Sequence, residues 1–456
     1  MNKKVLIAIV VAVAVIAVGA IGFTVVKGVI IKSNPVNYLL YSTTQNNYEA
    51  VDMSFSGTFN IEEESLSSML SLYSADPEAM AKFVSSMLDN VSMDGSVKWM
   101  MDNKDKTFYL SEKASFNYAD QSLFSFGGSL SNDQLRIGSE TLMDKSFVMT
   151  KDELFDLIKQ EGDIDLSQIN YDKYIDLLDM EKDPLYKAFV KDIENYIDIA
   201  RVALDPMVKG EDKEVTLSDG KTIKCDVLEL SISYEDMLRT YIDLMTEAKS
   251  DVELKALVKG KMIEALNLMI TSEDYLLLQI ESEEITAAIQ ELETNFDATW
   301  ISSIDELIYV YQDMQYQTAS LVTEPMSYSF AIDSKYNLRQ VVTSVNTMGI
   351  GVYQTMTYNA YGKDVKMDEV SESDETISIM EMVNDPEYAT TVGTELVDQG
   401  LTNIIEGEAL SLLMADLEEK SSVLPADEQQ VIVDLVKYFF DNKEMLKDTI
   451  IDGMGI

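Results

Sequence analysis

The chain has 456 residues, 46% of them hydrophobic and 25% charged, which suits one large globular domain or several modest ones. It has no histidine and one cysteine, so a structural zinc site, a Cys-bound iron–sulfur cluster, a His-dependent nucleophile and an internal disulfide all lack their residues. With 35 Lys+Arg against 80 Asp+Glu the net charge is −45, and no basic cluster of the kind that grips phosphates appears, which excludes nucleic acid as an expected partner.

Residues 1–4 form a short basic tail, and residues 5–26 are an uncharged apolar run between Lys4 and Lys27. A membrane-spanning helix needs about 20 such residues, whereas a secretory apolar core is usually about 7–15. The length favours a retained single-pass anchor. Val18-Gly19-Ala20 also fits a small-residue cleavage site, although apolar residues continue through Phe23, Val25 and Val26. With a four-residue tail easily left inside, the bulk of the chain is expected outside the cytoplasm, held to the cell membrane. Four lysines precede the first acidic residue, Glu49, so the chain from Ser33 onward carries −49.

Residues 35–370 are expected to form an extracytoplasmic α+β domain. Pro35 opens a helix, and Met53, Phe55, Gly57, Phe59 and Ile61 alternate as a strand should. A helical insertion follows, restarted at Asp76-Pro77, where Asp caps and Pro fits the first turn. From Met93 to Met149, short aromatic runs punctuated by Gly127-Gly128, Ser131-Asn132-Asp133 and Gly138-Ser139 predict an antiparallel meander. From Asp183-Pro184, residues Leu185, Phe189, Ile193, Tyr196, Ile197, Ala200 and Leu204 share one helical face.

Ser218-Asp219-Gly220-Lys221 reads as a hairpin turn, since Asp-Gly tolerates positive φ. On the return strand Ile223, Cys225 and Val227 share a face, after which Leu228, Leu230 and Ile232 take over, a phase slip that predicts a β-bulge near Val227–Leu228. Ser233 is placed to cap the next helix. Cys225 is expected to be a buried small hydrophobe rather than a reactive thiol, and the Ser218–Lys221 match to an S-x-x-K nucleophile motif falls on the turn, the wrong setting for that chemistry. Residues 235–323 read as helical, Tyr328, Phe330 and Ile332 as a strand, and Val370–Ser378 as a polar linker. Residues 371–456 are expected to be a helical C-terminal segment. The acidic run Glu161–Asp165 lacks calcium-loop spacing.

The order of membrane segment, short helix, strand, helical insertion, aromatic meander, helices and the "DGKTIKCDVLELSISYEDM" hairpin-to-helix passage resembles a group of membrane-anchored extracytoplasmic proteins of Gram-positive, often anaerobic, bacteria. The plan over Pro35–Gly362 is similar to the LolA/LppX-type lipoprotein-carrier fold. That resemblance implies a curved, half-barrel-like antiparallel sheet wrapped around helices, able to enclose an apolar cavity. The chain departs from the carriers in having an apolar helix in place of a lipobox, and in its extra helical segment after Val370. The resemblance carries no functional residues over.

The expected function is non-catalytic binding of a lipid or other amphiphile. The candidate lining of an apolar pocket is Trp99, Phe108, Phe116, Tyr118, Phe124, Phe126, Tyr328 and Phe330, although aromatics more often fill an ordinary core. The alternative is a structural or partner-binding ectodomain of the cell envelope, which would expose a large apolar patch. A carboxylate-based hydrolase of wall polymers ranks below both, since it needs only two suitably spaced carboxyls. No cofactor, no metal and no catalytic residue is expected; the membrane is the one expected partner besides the ligand.

Overall fold

The computed structural model describes residues 34–449, apart from 46–48, 72–73, 75, 103–106, 140, 142, 144, 163–168, 170, 178–182, 319–323, 348–349, 367–374, 443–444 and 446–448. The chain begins with α1 (Pro35–Gln45), β1 (Ala50–Ile61), α2 (Glu63–Leu70) and α3 (Pro77–Leu88). The meander follows as β2 (Val91–Asp102), β3 (Thr107–Tyr118), β4 (Gln121–Ser131), β5 (Gln134–Gly138) and β6 (Lys145–Thr150). Next come α4 (Lys151–Gly162), α5 (Tyr171–Asp176), α6 (Pro184–Asp192), α7 (Glu194–Leu204), β7 (Val208–Lys209), β8 (Lys213–Thr216) and β9 (Thr222–Ile232). A helical run holds α8 (Tyr234–Ser250), α9 (Val252–Thr271), α10 (Asp274–Leu277) and α11 (Ser282–Thr318). Then β10 (Met326–Asp333), β11 (Leu338–Thr347), β12 (Ile350–Tyr361) and β13 (Glu375–Ser378) precede α12 (Ile379–Asn384), α13 (Pro386–Glu406), α14 (Glu408–Lys420) and α15 (Ala426–Asp441).

All thirteen strands among the described residues belong to one curved, unclosed sheet, in the order β13-β6-β5-β4-β3-β2-β1-β12-β11-β10-β9-β7, with β8 also on β9. The protein is therefore α+β, as the alternation of textures predicts. The sheet is mixed rather than wholly antiparallel, because β13 lies parallel to β6. The expected polar linker over Val370–Ser378 thus contains a strand, and the mainly helical C-terminal segment donates it to the sheet. Its four residues are too few for periodicity to reveal.

Capping explains several boundaries. Asp76, Asp183 and Asp385 each precede a proline and accept from the backbone N–H groups of Ala79, Leu185 and Glu387. The Ser233 hydroxyl accepts from the Asp236 N–H at 3.0 Å, which fixes the start of α8. The Asp183 helix breaks at Ile193 into α6 and α7, yet Phe189, Ile193, Tyr196 and Ile197 still share one buried cluster.

Two sequence expectations need correction. The β9–β10 register runs without a break from Cys225↔Asp333 to Ile232↔Met326, so there is no bulge at Val227–Leu228. The apparent slip arises because both faces of β9 are buried over different stretches. Val215, Leu217, Cys225, Val227 and Ala331 form a small cluster on one face, while Leu228, Leu230 and Ile232 join the main core on the other. Gly127-Gly128 is not a turn; both glycines lie inside β4, and β3 turns into β4 at Ala119-Asp120, whose φ angles are 48° and 63°. Two residues in the left-handed region make a tight hairpin without glycine, at some steric cost.

The main core sits between β9–β11 and helices α1, α6–α9 and α11, with Trp300, Phe189, Leu228 and Ile304 fully buried. No helix among the described residues is long and apolar enough to cross a membrane; the expected anchor at 5–26 lies outside the described residues, as does most of the acidic run 161–165.

Candidate functional site

Alternation and register together sort the sheet into two faces. On β3, Phe108, Leu110, Glu112, Ala114, Phe116 and Tyr118 share one face. Pairing carries that face to Val97, Trp99 and Met93 on β2, and to Phe124, Phe126, Gly128 and Leu130 on β4. It continues through Leu135 and Ile137 on β5 to Phe147 and Met149 on β6. In the other direction it passes Val51, Met53, Phe55 and Gly57 on β1 to Val352 and Met356 on β12, and then to Val341, Phe330 and Leu228. The opposite face is rich in hydroxyls and amides: Ser54, Ser56, Ser96, Ser111, Ser115 and Asn117 lie there.

Helices cover the apolar face unevenly. The main core covers β9–β11. At one end of β1–β4, α2 and α3 bury Ile61, and α3, α14 and the turn at Leu424 bury Tyr118. Between these zones the face is open. Phe116, Phe124, Phe126, Leu130, Ile137 and Val352 keep 36–48% of their surface exposed. Phe116 and Phe124 stack with ring centroids 4.8 Å apart. Phe55 lies across Gly95: a Cβ there would fall 2.5 Å from Phe55 Cζ, so glycine lets the ring lie flat on the strand. With strands about 4.8 Å apart, the five steps from β12 to β5 make this face roughly 24 Å wide along the curve of the sheet.

The eight predicted residues all lie on this face, but they do not line one pocket. Phe108, Phe116, Phe124 and Phe126 are exposed on the open part, with half-buried Trp99 beside them. Tyr118 is fully buried and its hydroxyl donates to Asp416 at 2.7 Å. Tyr328 and Phe330, stacked at 6.3 Å, lie on β10 under the helices of the main core. The candidate lining omits Phe59, which the sequence already places in a strand, and Leu130, Ile137 and Val352. Each holds its place in a period-two alternation, which was the available signal.

The remaining candidates resolve into architecture. Gly220 takes φ 80° in the predicted turn, and Cys225 is 1% exposed. Burial, with Asp333 nearby, pushes its thiol up to about 11, the opposite of a reactive cysteine. Two aspartates are buried among the described residues. Asp274 accepts from Tyr174 and Ser272, and Asp333 from Asn337 and Arg339, so each is held as an acceptor within the fold. No group of three or more metal-ligating side chains gathers among the described residues. A cavity of about 590 Å³ lies between α7, the end of β9 and α8, lined by Ile199, Val202, Asp243 and Glu247, and takes none of the predicted aromatics.

The arrangement offers an extended apolar floor with a paired backbone and few hydrogen-bonding side chains, suited to alkyl surface rather than to a polar substrate. No family model matches the chain, and no curated protein matches it.

Proposed function

We propose that this is a membrane-anchored extracytoplasmic protein of the cell envelope that binds an amphiphile, without catalysis, on the open apolar face of β1–β6 and β12. The observation that carries the reading is the unbroken row of apolar side chains across those strands, exposed where the helices end. A protein interface normally supplies about one hydrogen bond per 100–200 Å², and this floor offers almost no groups to make them. Alkyl chains need none. Each methylene buried against it contributes about 0.8 kcal/mol, so affinity should rise roughly fourfold per added CH₂.

The direct test is native mass spectrometry of the Ser33–Ile456 fragment, with solvent extraction of bound material and a series of alkyl maltosides of increasing length. A bound amphiphile in fixed stoichiometry, with affinity climbing along the series, supports the reading. A ligand-free mass and no uptake across the series would move the assignment to the partner-binding reading. That second reading has an observation of its own: Val431, Leu435 and Tyr438 form an exposed stripe along α15, 51–68% accessible, at helical spacing.

A further inference from the structure

The open face carries one charged side chain on β1–β5 and β12, that of Glu112 in the middle of β3. Its cross-strand neighbours are Val97 on β2 and Gly128 on β4. Gly128 places no side chain beside the carboxylate, and a Cβ there would meet only the Arg136 carbonyl oxygen, at 3.2 Å. Glu112 is exposed, and among the described residues its carboxylate has no hydrogen-bond or ion-pair partner. The basic side chains of these strands, Lys98, Lys113 and Arg136, fall on the opposite face by alternation. A carboxylate on an apolar floor, with no basic side chain on its face of β1–β5 and β12, is an unmatched charge; Lys145, on the same face of β6, is already paired with Glu375 and Glu395.

We propose that the ligand of this face is an amphiphile with a cationic, ammonium-type head group, and that Glu112 is the acceptor that selects it. This rests on the amphiphile reading and adds the chemistry of the head group. The chain from Ser33 onward carries −49, which repels anionic head groups before they arrive and attracts cationic ones. That long-range attraction is diffuse and screened by salt, whereas the pairing with Glu112 is local and fixes which way the alkyl chain runs along the floor. Val97 and Leu110 flank the carboxylate, so a bound alkylammonium would lay its first methylenes on them while Gly128 leaves room for the head.

The test uses the full chain in vesicles of an uncharged glycolipid and two photoactivatable alkyl diazirines of equal chain length, one ending in trimethylammonium and one in a hydroxyl. Labelling of the peptide spanning β3 and β4 is quantified by mass spectrometry. The ammonium probe should label this peptide in preference, and Glu112→Gln should lower its labelling roughly two- to fivefold, the range for an exposed ion pair, with the hydroxyl probe unchanged. Glu112→Asp keeps the charge and should keep the preference. Equal labelling by both probes in the wild-type protein, or loss of the preference in Glu112→Asp as well, overturns the head-group assignment and leaves amphiphile binding standing. Absence of labelling of this peptide by either probe overturns both.

Discussion

The Tyr118 hydroxyl donates to the Asp416 carboxylate at 2.7 Å and ties β3 to α14. The Asn90 amide donates to the same oxygen at 2.7 Å, and Lys420 Nζ lies 2.9 Å from it. Tyr118 is 1% exposed, so its hydroxyl has no access to water as a substitute partner. Tyr118→Phe keeps the ring among Phe83, Met87 and Leu424 and deletes only the donor. A hydrogen bond to a charged group contributes about 1.5–3 kcal/mol, so chemical denaturation should show a loss in that range, at its lower end because two other donors remain. An unchanged midpoint would mean that the C-terminal helices are held by apolar packing alone.

Asp416 also makes this junction sensitive to acid. Burial opposes its ionisation, but the donors from Lys420, Tyr118 and Asn90 outweigh it and hold the carboxyl below its usual range. Asp333 follows the same pattern, with Asn337 and Arg339 overcoming the effect of burial. A carboxyl depressed in the folded state binds its proton more readily when unfolded. The stability it contributes is therefore fully present above the unfolded pKa, about 4, and is lost as pH falls through the lower folded value. The melting temperature should hold between pH 7 and 5 and drop below about pH 4. Asp416→Asn should start lower and fall less steeply, and parallel curves for the two proteins would show that other carboxyls govern acid unfolding.

Cys225 gives a simple check on the hairpin. With the thiol buried and raised to about 11, an aromatic disulfide reagent at pH 8 should leave it unmodified in the native protein and titrate it at once in denaturant. Fast native labelling would place β8 and β9 in exchange with an open form.

Most of the strand positions and helix starts were legible in the sequence, because they rest on local chemistry: period-two alternation in β1 and β10, and Asp-Pro caps at Asp76, Asp183 and Asp385. The misreadings share a cause. Val227–Leu228 looked like a bulge because sequence cannot show that β9 is covered on both faces by different neighbours. Gly127-Gly128 looked like a turn because glycine is common in turns, whereas here the pair lies in mid-strand opposite Glu112 and Lys113. β13 was invisible because its pairing with β6 is parallel and spans 230 residues between Glu375 and Lys145. The eight candidate aromatics, expected to line a pocket, fall on one face of the sheet. Which of them the helices cover is a tertiary fact that no local pattern carries, and it separates Tyr118, Tyr328 and Phe330 from the open group.

That separation predicts opposite behaviour for two aromatic positions on adjacent strands. Phe126 is 48% exposed on the open floor and belongs to no buried cluster among the described residues, so Phe126→Ser removes little native packing. Surface changes of this kind usually stay within about 0.5 kcal/mol, and the partial burial here puts the expected loss nearer 1 kcal/mol. Tyr118→Ser, by contrast, empties a fully buried site and should cost about 3–5 kcal/mol. Amphiphile uptake should respond in the reverse sense. Phe126→Ser removes contact area from the floor and should weaken binding of a neutral alkyl maltoside several-fold in a protein of almost unchanged melting temperature. If Phe126→Ser instead unfolds the protein, the floor is core after all, covered by elements that pack on it; if it is stable and binds as well as the wild type, the ligand lies elsewhere than on β3 and β4.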